Sequence, residues 1–262
     1  MNIRYAVCCV PVSPMRKEPS HIAEMVSQQL FGECCTIMEE RPDKWIRISC
    51  KYDGYKGWCQ LSHVVEVDKE QYEQLENDLT GDWVNEVDYN GHHMYVPLGS
   101  TLTALKNGHS FWRRSSVKYS GVLWDPTKVT INAKLIKQLA YKFLNTPYLW
   151  GGKSVFGIDC SGFSQMVFKL LNIPLPRDSY KQVESGDVVP SKQAKCGDLA
   201  FFHNAEGRIV HVGILLSDNE IIHSSGKVRM DKLTKEGIVN VETKERTHDL
   251  AVIKRVIGSL GH

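Results

Sequence analysis

The 262-residue chain contains no stretch near the roughly 18 to 20 consecutive apolar residues that a membrane-crossing helix requires, so no spanning segment is expected. It also lacks a charge of one sign. Its 32 Lys and Arg against 30 Asp and Glu leave a formal net charge of +2, which gives no electrostatic reason to expect nucleic acid or an anionic membrane as partner. There is no C-x-x-C: the eight cysteines stand at 8, 9, 34, 35, 50, 59, 160 and 196, two pairs of them adjacent. Adjacent cysteines make a poor disulfide framework, so reduced thiols in a cytoplasm are expected. No Cys or His pair has zinc-ligand spacing, and neither metal nor cofactor is expected. The opening "MNIRYAVCCVPVSP" carries a short apolar run but no small-residue cleavage pattern, so it is not read as a secretory signal.

What is present falls into three textures. Residues 1–68 alternate strand-like runs such as "DKWIRI" and "GYKGWCQL" with Gly, Pro and Asp, which predicts a small β module. A charged stretch, 69–80, reads as a short helix or linker. Residues 81–128 carry further strand candidates around Gly91, Gly99, Gly108 and Gly121 and read as a weak, divergent repeat of the first module. From 129 to 262 the pattern changes. Ile131, Leu135, Ile136, Leu139 and Phe143 mark a helix ended by Pro147, and Phe163, Met166, Val167, Leu170 and Leu171 mark a second that begins at or just after Cys160. "DLAFFH", "IVHVGILLS" and "EIIHSS" then predict consecutive strands.

Cys160, in "GIDCSGF", raises the question of chemistry. A thiol is mostly protonated at neutral pH, and the unpaired N–H groups of a helix start favour its thiolate. Thiolate catalysis also needs a base and a group that orients the base. His211 and His223 lie on successive predicted strands with Ser217, Asp218 and Asn219 between them. If those three residues form the loop, facing positions sum to 436, His223 opposes Gly213, and the two histidines share one sheet face as diagonal neighbours. A two-residue loop would put them on opposite faces.

The motifs "TPYLWGG", "IDCSGF", "LPRDSYKQ", "CGDLAFF" and "VHVGILL" together resemble the NlpC-type bacterial cell-wall cysteine peptidases, a circular relative of the papain-like fold. The resemblance spans roughly residues 131–260. It implies that Cys160 is the nucleophile, His211 the base, His223 the residue orienting it, and Tyr148 a donor to the oxyanion. "PMRKEPSHIAEMVSQQLFGE", "DKWIRI" and "DGYKGW" resemble a bacterial SH3-like domain, with 81–128 as a divergent second copy. The expected fold class is therefore α+β: two small SH3-like β-barrels, 1–68 and 81–128, before a papain-like NlpC catalytic domain, 129–262.

That combination resembles a subgroup that recycles cell-wall peptides in the cytoplasm, cutting γ-D-glutamyl-L-diamino acid bonds of murein stem peptides that carry a free L-alanine amino terminus. A free ammonium in a closed cleft needs carboxylate and acceptor partners. The resemblance puts Asp159, Ser161 and Ser179 in that role, with Glu24 and Tyr55 from the first module. Two other readings compete: an exported endopeptidase of intact cell wall anchored by its SH3-like modules, and a non-catalytic peptide-binding protein. Oligomeric state is not legible in the sequence.

Overall fold

The computed structural model describes residues 3–74 and 78–258. Residues 75–77 of the predicted linker helix, and residues 1–2 and 259–262 of the two end domains, lie outside the described residues. The chain divides into two units, one of residues 1–128 with 150–155, the other of residues 129–149 with 156–262.

In the first unit, strands β1 (Arg4–Cys8), β2 (Val12–Arg16), β3 (Met25–Leu30), β4 (Cys34–Glu40), β5 (Trp45–Cys50), β6 (Lys56–Gln60) and β7 (Val64–Val67) form one sheet in the order β3-β2-β6-β5-β4-β1-β7. Alternation explains the inward set. Ala6, Met15, Cys35, Ile37, Ile46, Ile48, Cys50 and Cys59 pack together as its core. Helix α1 (Lys69–Glu73) follows, capped by the Asp68 side chain, which accepts from Gln71 N–H. The second module contains β8 (Leu79–Thr80), β9 (Val84–Tyr89), β10 (His92–Pro97), β11 (His109–Trp112), β12 (Ser115–Lys118) and β13 (Leu123–Trp124). Four of these make a sheet in the order β10-β9-β12-β11, and β13 pairs with β8.

The two β modules share a core. Val7, Phe31, Cys34 and Val67 of the first pack with Val87, Val96, Leu102, Trp112, Val117 and Tyr119 of the second. Gly32 sits at the seam. Its φ of +75° favours glycine, and a Cβ there would lie 1.6 Å from the Thr101 carbonyl oxygen. Thr101 N–H donates to Phe31 O at 2.9 Å, and Thr103 Oγ1 donates to Gly32 O at 2.7 Å, closing the joint. The segment 150–155, which contains β14 (Lys153–Ser154), is also part of this unit. Lys153 N–H donates to Gln28 Oε1 at 2.8 Å, and its ammonium lies 3.5 Å from Glu33, both side chains buried.

In the second unit, Asn132 caps α2 (Ala133–Tyr141) by accepting from Leu135 N–H at 2.9 Å. The helix stops at Tyr141, before the predicted end at Pro147, because turns take over and Asn145 adopts a φ of +66°. After β15 (Gly157–Ile158) comes α3 (Cys160–Lys169), every residue of which is buried, and then α4 (Ser179–Gln182). The sheet runs β16-β22-β17-β18-β19-β20-β21, made of β16 (Asp187–Val188), β17 (Leu199–His203), β18 (Ile209–Leu215), β19 (Glu220–Ser225), β20 (Lys227–Leu233), β21 (Gly237–Val239) and β22 (Arg246–Arg255). Because β21 also pairs with β22, six of these strands close on themselves and bury an apolar interior that includes Phe202, Leu215, Ile221 and Ile238. Helix α3 packs on β18 and β19. Among the described residues, no helix is long and apolar enough to cross a membrane.

Candidate active site

Cys160 is the first residue of α3, and Asp159 is its N-cap, the carboxylate accepting from Gly162 N–H at 2.7 Å. The same carboxylate meets Arg177 in a two-pronged pair: Arg177 Nη1 donates to Oδ1 at 2.9 Å and Nη2 to Oδ2 at 2.6 Å. Arg177 Nη1 also donates to Ser161 Oγ at 3.0 Å. Asp159, Ser161 and Ser179 therefore do gather at the start of α3 and α4, all buried, but both Asp159 oxygens are engaged by protein donors. Gln182 braces the same corner, donating to Ser161 O at 2.9 Å and to Pro176 O at 2.8 Å.

The hairpin between β18 and β19 has the register that a three-residue loop predicts, Gly213 opposite His223 and Leu215 opposite Ile221. His211 and His223 consequently share a face, with His211 Nε2 2.8 Å from His223 Nδ1. On its other side His223 Nε2 lies 3.0 Å from Asp231 Oδ2 on β20, and Arg229 grips the same carboxylate through Nε at 2.9 Å and Nη2 at 3.2 Å. His248 of β22 stacks on His211, ring centroids 4.1 Å apart and planes 26° from parallel.

Burial pushes the Cys160 thiol up to about 12, with the Asp159 charge adding to the rise. Hydrogen bonds from the backbone of Val212 and Ser161, and the nearby Arg177 guanidinium, pull in the opposite direction without overcoming it. The helix start that was expected to favour a thiolate is thus outweighed by desolvation. Burial also holds the His211 imidazole well below its usual range, reinforced by His223 and His248. Both shifts favour the uncharged form, the thiol at Cys160 and the neutral imidazole at His211. Tyr148 is half-buried. Its phenol is raised by burial and by the neighbouring Cys160 and Asp159, which keeps its hydroxyl protonated and able to donate.

Glu24 and Tyr55 belong to the first unit. Glu24 Oε1 accepts from Trp150 Nε1 at 2.8 Å, and Lys17 Nζ is 3.6 Å from its other oxygen. Tyr55 packs against the first-module core, its N–H donating to Asp53 Oδ1 at 2.9 Å. Sequence reasoning missed Arg177, Asp231, Arg229 and His248. Arg177 lies inside the motif "LPRDSYKQ", but nothing in the local pattern marked it as the partner of Asp159.

A thiol at a helix start, an imidazole on the strand against which that helix packs, a second imidazole 2.8 Å from the first, and a phenolic hydroxyl are the kinds of group that cysteine peptidases use. That set defines a cysteine peptidase. The chain belongs to the NlpC/P60 family, whose model matches residues 145–246, and a model of the bacterial dipeptidyl-peptidase SH3 domain matches residues 15–64. It is 45% identical over 213 residues to a gamma-D-glutamyl-L-lysine dipeptidyl-peptidase of Bacillus subtilis, covering 76% of this chain and 71% of that one. A protein of the same name from Bacillus cereus is 30% identical over 231 residues, covering 77% of this chain and 67% of that one. The fold matches the crystal structure of an NlpC/P60 family protein from Bacillus cereus with a TM-score of 0.79 at 19% identity, over 96% of this chain and 99% of that chain. The protein is an NlpC/P60 cell-wall cysteine peptidase with an SH3-type domain and a second small β barrel before the catalytic domain.

Proposed function

We propose that the protein hydrolyses the γ-D-glutamyl-L-diamino acid bond of murein stem peptides with a free amino-terminal L-alanine, releasing L-Ala-γ-D-Glu during recycling of cell-wall peptides in the cytoplasm. The names of the two Bacillus relatives support the bond, and the matched SH3 domain type supports the dipeptidyl activity. The observation that carries the chemistry is the 2.8 Å contact between His211 and His223 beside the thiol-bearing helix start.

In this reading Cys160 Sγ attacks the γ-carbonyl carbon as its proton passes to His211. The developing oxyanion is met by the Tyr148 hydroxyl and the N–H groups at the start of α3. Collapse breaks the C–N bond, His211 returns the proton to the leaving amine, and a thioester remains. Water, deprotonated by His211, then cleaves the thioester and regenerates the thiol. Recognition of the free amine is assigned to Asp159, Ser161 and Ser179. Because Asp159 is tied to Arg177, it acts on the amine as half of an ion pair rather than as a lone carboxylate.

The test is to incubate the protein and a Cys160→Ala variant with L-Ala-γ-D-Glu-L-Lys and L-Ala-γ-D-Glu-diaminopimelate, each free and N-acetylated, and to follow products by mass spectrometry. Ala-Glu dipeptide is expected from the free-amine peptides alone and from the wild type alone. Equal turnover of acetylated and free peptides would sink the amine-recognition reading in favour of an endopeptidase of intact wall.

A further inference from the structure

Two neighbouring imidazoles can share their protons in more than one way, and only one way permits the chemistry. His211 touches His223 through Nε2, so the nitrogen left to accept a proton from Cys160 is Nδ1. Nδ1 can accept only if, in the neutral ring, the proton sits on Nε2. That in turn requires His223 Nδ1 to be bare and its own proton to sit on Nε2, the nitrogen 3.0 Å from Asp231 Oδ2. A carboxylate accepts and cannot donate, so an ionised Asp231 demands a proton on His223 Nε2, and in the neutral ring that leaves Nδ1 bare.

We propose that Asp231 is a positioning residue of the peptidase: it fixes the tautomer of His223 and, through His223, presents His211 Nδ1 to Cys160 as a proton acceptor. The carboxylate is set in place independently of the histidines. Arg229 of its own strand donates to both oxygens, and Val241 N–H donates to Oδ1 at 2.9 Å. Arg229 is itself held by Asn240 at 3.1 Å and Glu242 at 3.5 Å. Burial alone would raise the Asp231 carboxyl, but the hydrogen bonds from His223, Val241 N–H and Arg229 reverse this and hold it below the usual carboxylate range, so it stays ionised. Asp231 and His223 expose only 2% and 1% of their side chains, so water does not compete for the contact. Among the described residues, His211 on β18 and His248 on β22 also face the relay, and the charge of Asp249 acts on His248.

The arrangement needs no rearrangement during turnover. When His211 takes the thiol proton it becomes a cation with both nitrogens protonated, its Nε2–H still donating to His223 Nδ1 and His223 Nε2–H still donating to Asp231. The proton then leaves from Nδ1 to the amine.

The inference does not depend on which peptide is the substrate, because its first readout uses none. Nitrogen-15 NMR of histidine-labelled wild-type protein reports which ring nitrogen carries the proton, and both His211 and His223 are expected as the Nε2–H form at neutral pH. An Nδ1–H tautomer at His211 would overturn the proposal outright. In Asp231→Asn the neutral amide no longer demands that tautomer. His211 is then expected to shift toward Nδ1–H, with kcat falling about 10- to 100-fold, as loss of such supporting partners does elsewhere, and KM changing less than about threefold. Iodoacetamide alkylation of Cys160 should slow in parallel. A fall in kcat with unchanged tautomers, or unchanged tautomers with unchanged kcat, would reduce Asp231 to a structural residue. If the variant does not fold, the wild-type spectrum decides.

Discussion

Cys35 in the first unit and Cys160 in the second are both buried thiols, and burial pushes both up to about 12. Their surroundings differ. Cys35 lies in an apolar core among Met15, Ile46, Ile48, Cys50 and Cys59, with the Gln29 side chain as its polar contact. Cys160 starts a helix, hydrogen-bonds to the backbone of Ser161 and Val212, and has the imidazole of His211 one residue from Val212 on the strand against which that helix packs. Thiol acidity therefore does not separate Cys35 from Cys160. The neighbouring base is what differs: in the proposed mechanism the Cys160 thiolate forms as His211 accepts its proton, so the thiol would stay protonated between turnovers.

The sharpest test of that contrast is to remove each sulfur. Cys160→Ala is expected to lower kcat/KM by about 10⁵- to 10⁶-fold, the scale of losing a nucleophile, with the fold intact by circular dichroism. Cys35→Ala is expected to leave kcat/KM within about twofold and to cost about 1 kcal/mol in urea unfolding, from lost packing. An activity loss at Cys35 comparable to that at Cys160 would erase the distinction.

The next largest effect concerns the ion pair behind the nucleophile. Arg177→Met strands the Asp159 carboxylate in a site where it is 7% exposed, and removing one partner of a buried pair costs about 3–5 kcal/mol. The loss should appear as a lower urea midpoint. Because the guanidinium also opposes the rise of the Cys160 thiol, alkylation of Cys160 should slow as well. A variant as stable as wild type would mean that the Asp159 carboxylate does not depend on Arg177 for its stability.

Much of this site could be read from the sequence and part could not, for physical reasons. The helix start at Cys160 followed from apolar spacing downstream, and the shared face of His211 and His223 followed from loop length, because a sheet's period of two makes register a matter of counting. Asp231 was invisible to the same logic. In "KVRMDKL" the apolar Met230 is 39% exposed while the charged Asp231 is buried, so hydropathy misplaces these two residues. Arg177 sits in a connection without periodicity, between Leu175 and α4, where no pattern assigns direction. The merging of the two β modules depends on Gly32 meeting Thr101, a contact between residues 69 positions apart that neither local sequence announces.

The smallest expected effect isolates the stacked ring. Burial holds the His248 imidazole down at about 4, with the His223 ring adding to the depression and Asp231 and Asp249 opposing it. A histidine whose folded value lies below its unfolded value of about 6.5 takes up protons more readily when unfolded. Its stabilising contribution is therefore complete above pH 6.5 and is lost as the pH falls from 6.5 towards 4. Phenylalanine at this position keeps an aromatic face against His211 and removes the titration. His248→Phe should leave kcat at pH 7.5 within about threefold, and should flatten the decline in urea stability between pH 6.5 and pH 4.5 relative to wild type. His211, held well below its usual range by its own burial, continues to titrate in the variant, so part of the decline remains. An unchanged slope would place the acid sensitivity outside His248, whereas a large loss of kcat at pH 7.5 would show that the third imidazole takes part in proton transfer and is more than a lid on the base.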